Sequence, residues 1–304
     1  MKIVLAGGSG FLGQMLARDL AANAHDVVIL SRENPTQPGP PAIRQVVWRP
    51  DGSAGEWASA LDGSDAVVNL AGAGIADKRW TAARKQMLLT SRVQSTRSLL
   101  AAIDRVRARP AVFIQNCGIG YYGTARGSEP VDERDRPGND FLARLCVDWE
   151  AAAAPIASLG CRLVYLRTGV VLAANGGALP KMTLPFRFFA GGPLGSGQQY
   201  LSWIHIEDWL SMMAWSLANG ALSGPVNATS PSPVTNSDFS RAIGAALHRP
   251  SLLPVPGFVL KILVGELADA ALLGGQRALP RSAQREGFVF KHPQVGEALR
   301  SLLS

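Results

Sequence analysis

A glycine-rich turn near the start of the chain constrains the fold more than any other feature of the sequence. The apolar run of residues 3–6 leads into this turn, and apolar residues at helical spacing follow it. A strand, a glycine turn and a helix in this order direct backbone N–H groups and a helix N-terminus at one spot, where a pyrophosphate can bind. Gly7 permits the tight turn, Gly10 admits the phosphates and Gly13 allows the helix to pack closely on the strand. The residues predicted to contact a dinucleotide here are Gly7, Ser9, Gly10, Phe11, Leu12 and Gly13.

The first half of the chain alternates between apolar strands and amphipathic helices. Further strands are predicted at residues 26–30, 45–48, 66–70, 111–115 and 162–166, with long helices at residues 81–106 and 141–158. Apolar strands separated by helices are typical of an α/β fold, here a Rossmann-type, doubly wound parallel sheet that is covered on both faces. The proline-rich segment Pro35 to Pro41 is predicted to be a surface loop.

Beyond residue 168 the pattern changes to glycine- and proline-rich loops between short helical stretches. These stretches lie near residues 207–219, 235–247, 257–272 and 294–303. We predict a dinucleotide-binding domain over residues 1–168, which regains short segments near 200–228, and a smaller, mostly helical substrate lobe over residues 169–304. Ligands of open parallel sheets bind at the carboxyl ends of the strands, so this lobe is expected to close over that edge.

Composition excludes several classes of protein. With 47% hydrophobic and 17% charged residues among 304, the chain is expected to fold around a large core. We find no apolar run of about 18 residues and no signal-peptide pattern, so no membrane partner is expected. The three cysteines lack C-x-x-C spacing, which predicts no disulfide framework, no metal site and a reducing, cytoplasmic location.

The net charge of +7 raises the question of a nucleic-acid partner. The arginines are scattered along the chain and form no basic tail, so we predict no nucleic-acid partner. A basic surface together with a site for a small anionic ligand is the favoured interpretation. The assembly state, including a homodimer, is left open.

The end of the second predicted strand indicates which dinucleotide binds. An NAD site usually has a carboxylate for the ribose 2′-hydroxyl at this place, but here Ser31 and Arg32 follow the strand. A hydroxyl and a guanidinium suit a 2′-phosphate, and each charge-assisted bond is worth about 1.5–3 kcal/mol, or a roughly ten- to hundredfold preference. We therefore predict NADP rather than NAD. The alternative is a solvent-facing Arg32 with Glu33 on the ribose.

The fourth predicted strand ends in the sequence Asn69-Leu70-Ala71-Gly72. Small residues at a strand end allow the backbone to lie against a ligand. Leu70, Ala71 and Gly72 are therefore predicted to contact the adenine or its ribose. A plain exit from the strand into a loop is the alternative.

Motifs spread along the chain carry a family resemblance. The glycine turn, residues 69–72, Gly-Tyr-Tyr-Gly at 120–123 and Trp-Ile-His-Ile-Glu-Asp at 203–208 together resemble the extended short-chain dehydrogenases/reductases, the group of sugar-nucleotide epimerases and dehydratases. More narrowly, the chain resembles an atypical, NAD(P)-dependent epimerase/dehydratase-like family with its own C-terminal domain. The motifs of this narrower match are Arg79-Trp80, Ser91-Arg92-Val93, Trp149-Glu150, residues 167–172, the 191–197 loop, Pro225-Val226-Asn227 and Gly287-Phe288-Val289-Phe290.

The sequence departs from that group in its catalytic residues. The group transfers a proton through the tyrosine of Tyr-x-x-x-Lys, beside a serine or threonine, and its lysine lowers the pKa of the tyrosine and holds the cofactor ribose. Counted back from Glu150, the lysine position falls on Cys146 and the tyrosine position on Leu142. The serine position falls on Cys117 or Gly118. The resemblance therefore implies a dinucleotide-binding protein without the usual proton-transfer pair.

Four other side chains are candidates for the missing role. They are Tyr122 (or its neighbour Tyr121), Cys117, Lys181 and His205. Each has a structural alternative: a loop-shaping tyrosine, an inert buried thiol, a surface lysine and a buried, hydrogen-bonded histidine.

The acidic residues after His205 raise the question of a metal site. Together with His205, Glu207 and Asp208 offer ligand atoms, but they also follow a short apolar stretch and precede a predicted helix. Acidic residues stabilise a helix N-terminus. We therefore predict a strand end followed by a helix start, with no metal.

The segment 191–197, Gly-Gly-Pro-Leu-Gly-Ser-Gly, is the predicted substrate loop. Consecutive glycines bring backbone donors close to a ligand, and a neighbouring arginine can supply charge. Arg187, Gly192 and Gly195 are the predicted substrate residues. A surface turn is the alternative.

Two functions of different classes follow from these patterns. The first is an NADP-dependent oxidoreductase or epimerase-like enzyme that acts on a small carbonyl or hydroxyl compound, nucleotide-linked or free. The second is a dinucleotide-binding sensor or scaffold that has lost the chemistry. Hydride transfer needs only a positioned nicotinamide and a substrate, which favours the enzyme.

Overall fold

A seven-stranded parallel sheet forms the centre of the computed structural model, which describes residues 1–33 and 40–303. The strands are β1 (Lys2–Ala6), β2 (Asp26–Ser31), β3 (Ile43–Val47), β4 (Ala66–Asn69), β5 (Val112–Gly118), β6 (Pro130–Val131), β7 (Arg162–Thr168), β8 (Val170–Leu172), β9 (Tyr200–Leu201), β10 (Trp203–His205), β11 (Gly224–Ala228), β12 (Val234–Thr235) and β13 (Arg277–Ala278). The order in the main sheet is β3-β2-β1-β4-β5-β7-β11, and every neighbouring pair is parallel. The predicted Rossmann-type fold is confirmed.

Helices cover both faces of this sheet. They are α1 (Phe11–Ala22), α2 (Ala82–Arg105), α3 (Phe141–Ala153), α4 (Leu179–Arg187), α5 (Ile206–Ala218), α6 (Asn236–Leu247), α7 (Gly257–Val264), α8 (Arg281–Arg285) and α9 (Val295–Leu303). Alternate residues of β1 point to opposite faces: Ile3 and Leu5 pack with α1 and α5, whereas Val4 packs with α2. Both faces of a strand must therefore be apolar, which explains the unbroken apolar runs of the sequence.

The first half of the chain follows the predicted elements with small shifts at their ends. The helix predicted at 141–158 ends at Ala153 and continues as a 3₁₀ helix over Ala154–Leu159, where Pro155 cannot donate a backbone hydrogen bond. Strands β5 and β7 extend beyond their predicted ends to Gly118 and Thr168. These extensions carry polar side chains to the carboxyl edge of the sheet. Most of the predicted loop Pro35 to Pro41 lies outside the described residues.

The C-terminal half contains the predicted helices, and two of its strands pair with strands of the first half. The stretch predicted at 257–272 is divided at Gly265, whose φ of 66° ends α7 before a π-helical turn over Ala268–Leu272. Strand β11 completes the main sheet beside β7, and β13 pairs with β6. The sheet therefore includes residues from beyond position 200. Within the described ranges, the helices lack either the length or the apolar character needed to span a bilayer.

Candidate functional site

A cleft follows the carboxyl edge of the sheet and has two halves. The outer cleft, of about 270 Å³, lies over the glycine turn and the ends of β2 and β4. The inner cleft, of about 380 Å³, lies over the ends of β5 and β7 and is closed by residues 200–202 and 270–276. Leu70 lines both halves, so they meet at the end of β4, where the strand order reverses direction and such sheets bind their ligands.

Backbone groups of the glycine turn form the floor of the outer cleft. Gly7 has a φ of 79°, and its carbonyl accepts a hydrogen bond from the Gly10 N–H at 3.1 Å. Gly10 precedes α1 with extended backbone and no side-chain cap, so the first N–H groups of α1 are free for a ligand anion. A Cβ on Gly13 would lie 2.6 Å from the Gly7 oxygen. This turn therefore forms only if position 13 is glycine.

A hydrogen-bond network fixes the backbone at the end of β4. The Asn69 Nδ2 donates to Thr96 Oγ1 and to Gln115 Oε1, both at 3.0 Å, and its Oδ1 accepts from the Ala71 N–H at 3.1 Å. Leu70, Ala71 and Gly72 are thereby held along the wall of the outer cleft. The structure brings these residues together with the glycine turn, as the sequence predicts.

Ser31 and Arg32 lie at the rim of the outer cleft, at the end of β2. Ser31 is buried, and its hydroxyl accepts a hydrogen bond from the Glu33 N–H at 3.3 Å. Arg32 and Glu33 are exposed. The rim thus offers a hydroxyl and a guanidinium, while the buried Trp48 offers an apolar face beside them.

The inner cleft is lined by the residues that counting back from Glu150 assigns to the proton-transfer positions. Leu142 and Cys146 line it from one face of α3, and Cys117 lines it from the end of β5. The side chains that the counting assigns to the tyrosine, lysine and serine positions therefore line one cavity. Its walls are mainly apolar, and its hydroxyl and amide groups include those of Asn116 and Thr168, which bond to each other at 2.7 Å.

The thiols in the inner cleft are protonated at neutral pH. Both are buried, and burial raises the pKa of Cys146 to about 12. Burial, followed by the nearby Glu150 carboxylate, raises the pKa of Cys117 far above its usual range. A neutral thiol is a poor nucleophile and a poor base, so neither cysteine is activated by its surroundings.

Tyr122 lies behind the inner cleft in a buried network. Its hydroxyl donates to Asn227 Oδ1 at 2.8 Å and accepts from Arg167 Nη1 at 3.1 Å. Arg167 forms a two-bond ion pair with Glu150, at 2.8 and 2.9 Å, and its guanidinium lies 3.4 Å from the centre of the Tyr121 ring. Burial raises the pKa of Tyr122, despite the charge of Arg167. These contacts join residues of three separate sequence motifs and stabilise the wall behind the site.

The other candidate residues lie away from the inner cleft. Lys181 and Arg187 are exposed on α4. The 191–197 loop pairs with residues 253–255, and a Cβ on Gly192 would meet the Leu253 backbone, whereas one on Gly195 would meet the Leu273 side chain at 2.6 Å. Among the described residues that line the inner cleft, none belongs to this loop. It lies behind the 270–276 segment that does line the cleft, and its role toward a substrate stays a prediction.

His205 forms the predicted boundary between a strand and a helix. It is the last residue of β10, and its Nδ1 caps α5 by accepting from the Glu207 N–H at 3.1 Å. Burial, and then the neighbouring His292, lower the pKa of His205 to about 4. Ligand atoms of His205, Glu207 and His292 lie within 4.8 Å of one another. The His292 ring and Lys291 already engage the Glu207 carboxylate, so the cluster is held together by its own side chains.

Some residues of the inner cleft carry no sequence signal of a binding role. Tyr200, Ser202 and Gln276 line it from the C-terminal half, and Ser202 joins two of these segments through a 2.7 Å bond to the Gln276 carbonyl. Arg92 lines it from α2. Arg92 belongs to a family motif, but nothing in the pattern indicates that it faces a cleft.

Two family models match the chain. The NAD dependent epimerase/dehydratase family matches residues 3–228, and a domain of unknown function, DUF1731, matches residues 255–302. The first match spans the glycine turn and all seven strands of the main sheet. The second begins two residues before α7. It includes residues 270–276, one of the two segments that close the inner cleft.

Individual proteins match over the whole chain. An epimerase family protein of Mycobacterium leprae is 42% identical over 98% of this chain and 94% of its own length. The epimerase family protein YfhF of Bacillus subtilis is 39% identical over 100% of this chain and 98% of its own length. A crystal structure of the human epimerase family protein SDR39U1 with NADPH superposes with a TM-score of 0.89 at 35% identity, covering 100% of this chain and 99% of that one.

Proposed function

This chain belongs to the NAD-dependent epimerase/dehydratase family, and we propose that it is an NADPH-binding enzyme of that family acting on a small carbonyl or hydroxyl compound. The observation that carries the proposal is that the glycine turn of the outer cleft and the mostly apolar inner cleft meet at Leu70. The similar human protein was crystallised with NADPH, which supports the same cofactor here.

The outer cleft fits the adenosine half of NADPH. The free N–H groups after Gly10 suit the diphosphate, and the shape of the turn leaves no room for a side chain at position 13. Ser31 and Arg32 at the rim suit the 2′-phosphate, because a guanidinium binds phosphate through charge-assisted bonds. We propose Gly7, Ser9, Gly10, Phe11, Leu12, Gly13, Ser31, Arg32, Leu70, Ala71 and Gly72 as the residues that hold the cofactor.

The inner cleft favours a small substrate. It is mostly apolar and measures about 380 Å³, part of which the nicotinamide would occupy. The bound dinucleotide would supply or accept a hydride. The chain itself would exclude water and orient the substrate, with Asn116 and Thr168 among the polar side chains that line the cleft. Because the thiols of Cys117 and Cys146 stay protonated, the proton would come from solvent or from the substrate.

The cofactor part of this proposal is tested by titration. We expect Arg32→Ala to weaken NADPH binding roughly ten- to hundredfold, because a charge-assisted bond is worth about 1.5–3 kcal/mol, and to leave NADH binding within about twofold. Arg44→Ala, which removes another exposed arginine, serves as the control. Equal wild-type affinities for NADH and NADPH, measured by nicotinamide fluorescence, would contradict the assignment of NADPH.

The catalytic part is tested by turnover. Purified protein is assayed with NADPH against small aldehydes, ketones and nucleotide sugars. Without an acid–base pair, which typically contributes about 10²–10⁴-fold, we expect slow reduction of small carbonyls and no rapid epimerisation of nucleotide sugars. Tight NADPH binding with no turnover of any compound would favour the second candidate function, a dinucleotide-binding sensor. The neutral thiols at the lysine and serine positions are the observation that favours that candidate.

A further inference from the structure

Gln276 is a buried polar residue in the closing wall of the inner cleft, which residues 200–202 and 270–276 form. It lines the cleft but is only 7% exposed. Its backbone carbonyl accepts a hydrogen bond from Ser202, whereas its side-chain amide has no hydrogen-bond partner among the residues that the structure describes. The amide atoms are not among those sealed from solvent, so they reach the cleft that Gln276 lines. A largely buried amide without a partner in the fold is a group suited to binding a ligand there.

The backbone on either side of Gln276 is held in place by the neighbouring chain segment. Ser202 Oγ donates to the Gln276 carbonyl at 2.7 Å and accepts from the Ala278 N–H at 2.8 Å. A Cβ on Gly275 would overlap the Tyr200 carbonyl oxygen, so the two backbones touch at this point. These contacts fix the position of Gln276 without using its amide. A binding group is pre-organised in this way when its support comes from other atoms.

The closing wall carries no charge toward the inner cleft. Among the described residues that line the cleft, those of the closing wall are all uncharged, and Arg277, the next residue in the chain, is not part of the lining. The lining does contain Arg92, but this residue comes from α2 and lies beside Gly72 of the outer cleft. An ionised group against the closing wall would lose its hydration without a counter-charge there, whereas a neutral polar group would find a partner in Gln276.

We propose that Gln276 determines the substrate class by binding an uncharged polar group that the carbonyl substrate carries. The inference rests on the proposed function, because it requires that the inner cleft receives a substrate. The amide of Gln276 has one oxygen that accepts and an NH₂ group that donates, so it can form two hydrogen bonds with a carboxamide or a hydroxy ketone. An ionised carboxylate only accepts, and its charge has no partner at the closing wall. The substrate class is therefore a neutral carbonyl compound with a carboxamide or hydroxyl group, not an ionised keto acid.

The test uses two probes of nearly the same shape, pyruvamide and pyruvate. The first carries a neutral carboxamide next to its ketone, and the second carries an ionised carboxylate. Calorimetry measures the binding of each probe to protein saturated with NADP⁺, which cannot reduce either ketone. We expect the wild type to bind pyruvamide at least about tenfold more tightly than pyruvate. Gln276→Met, which keeps the length of the side chain but not its amide, should weaken pyruvamide binding about tenfold and pyruvate binding by less than about twofold.

Two controls separate substrate binding from cofactor binding and from folding. The affinity for NADP⁺ should stay within about twofold in Gln276→Met. Gln284→Met, which removes an exposed amide from α8, should leave the affinities for both probes unchanged. Because the Gln276 amide bonds to no described residue, Gln276→Met should melt at the same temperature as Gln284→Met.

Several results would overturn the inference. If the NADP⁺-bound wild type binds pyruvate more tightly than pyruvamide, or binds neither probe, the substrate class is wrong. If Gln276→Met weakens both probes equally or melts well below Gln284→Met, the role of Gln276 is structural, and if it loses NADP⁺ affinity, Gln276 contacts the cofactor instead. If the wild type does not bind NADP⁺ at all, the proposed function fails first, and the inference fails with it.

Discussion

The outer and the inner halves of the cleft are built from different parts of the polypeptide. The outer cleft relies on backbone: a left-handed glycine, free N–H groups at the start of α1 and a strand end held by Asn69. The inner cleft relies on side chains that arrive from α2, α3, two strand ends and the C-terminal segment. A backbone site tolerates few changes in its glycines. A side-chain site can keep its shape while its chemistry changes.

The largest expected loss of stability comes from a substitution in the wall behind the inner cleft. Glu150→Gln would leave Arg167 as a buried charge without its partner, since these side chains are only 12% and 4% exposed. Breaking one partner of a buried ion pair costs roughly 3–5 kcal/mol, so we expect a loss of that size in the free energy of unfolding, measured in urea. Glu129→Gln, at an exposed site, is the control.

A second variant separates charge burial from a general packing defect. Adding Arg167→Met to Glu150→Gln removes the unpaired charge, so part of the lost stability should return. If the double variant is less stable than Glu150→Gln alone, the ion pair is not the cause of the loss.

The next largest expected effect, on stability and on NADPH binding, comes from a substitution in the floor of the outer cleft. In Gly13→Ala the new Cβ would lie 2.6 Å from the Gly7 oxygen, which forces the turn to open. Such overpacking costs roughly 1–3 kcal/mol, and the displaced N–H groups should weaken NADPH binding about ten- to hundredfold. Gly220→Ala, where a Cβ meets nothing within 4 Å, is the control. Unchanged NADPH affinity in Gly13→Ala would show that the turn does not hold the cofactor.

The same contrast explains which features the sequence could predict. The glycine turn, the strand ends at 31 and 69 and the order of elements are local patterns, and the structure contains them. The Tyr122–Arg167–Glu150 network joins the 3₁₀ turn Ile119–Tyr122, strand β7 and helix α3, and no spacing indicates their pairing. The glycines at 192 and 195 approach the chain itself at residues 253 and 273, and their role toward a substrate stays a prediction. A glycine pattern predicts that another group packs closely against the backbone, but it does not identify that group.

Tyr122 offers a smaller effect that distinguishes structure from catalysis. Tyr122→Phe leaves Arg167 Nη1 and Asn227 Oδ1 without the hydroxyl that joins them, which should cost about 1–2 kcal/mol of stability. We expect NADPH affinity and any NADPH turnover to stay within about twofold, because Tyr122 is not among the described residues that line the cleft. Tyr165→Phe on β7 is the control for stability. A fall in turnover with unchanged stability would instead assign Tyr122 a catalytic role.

The smallest expected effect is on the pH dependence of stability. It tests whether the Cys146 thiol stays protonated in the folded protein. The pKa of Cys146 is raised to about 12 in the folded protein, against about 8.5 in an unfolded chain. Above pH 8.5 the unfolded state therefore loses this proton while the folded state keeps it, so stability falls as the pH rises toward 12. Between pH 7 and pH 9 this thiol should account for about 1 kcal/mol of the decline. Cys146→Ser should remove that part, and urea unfolding at both pH values measures it, because any constant cost of the serine cancels in the difference. An equal decline in the variant and the wild type would mean that the thiol ionises normally in the folded state. The inner cleft would then hold an activated cysteine at the lysine position.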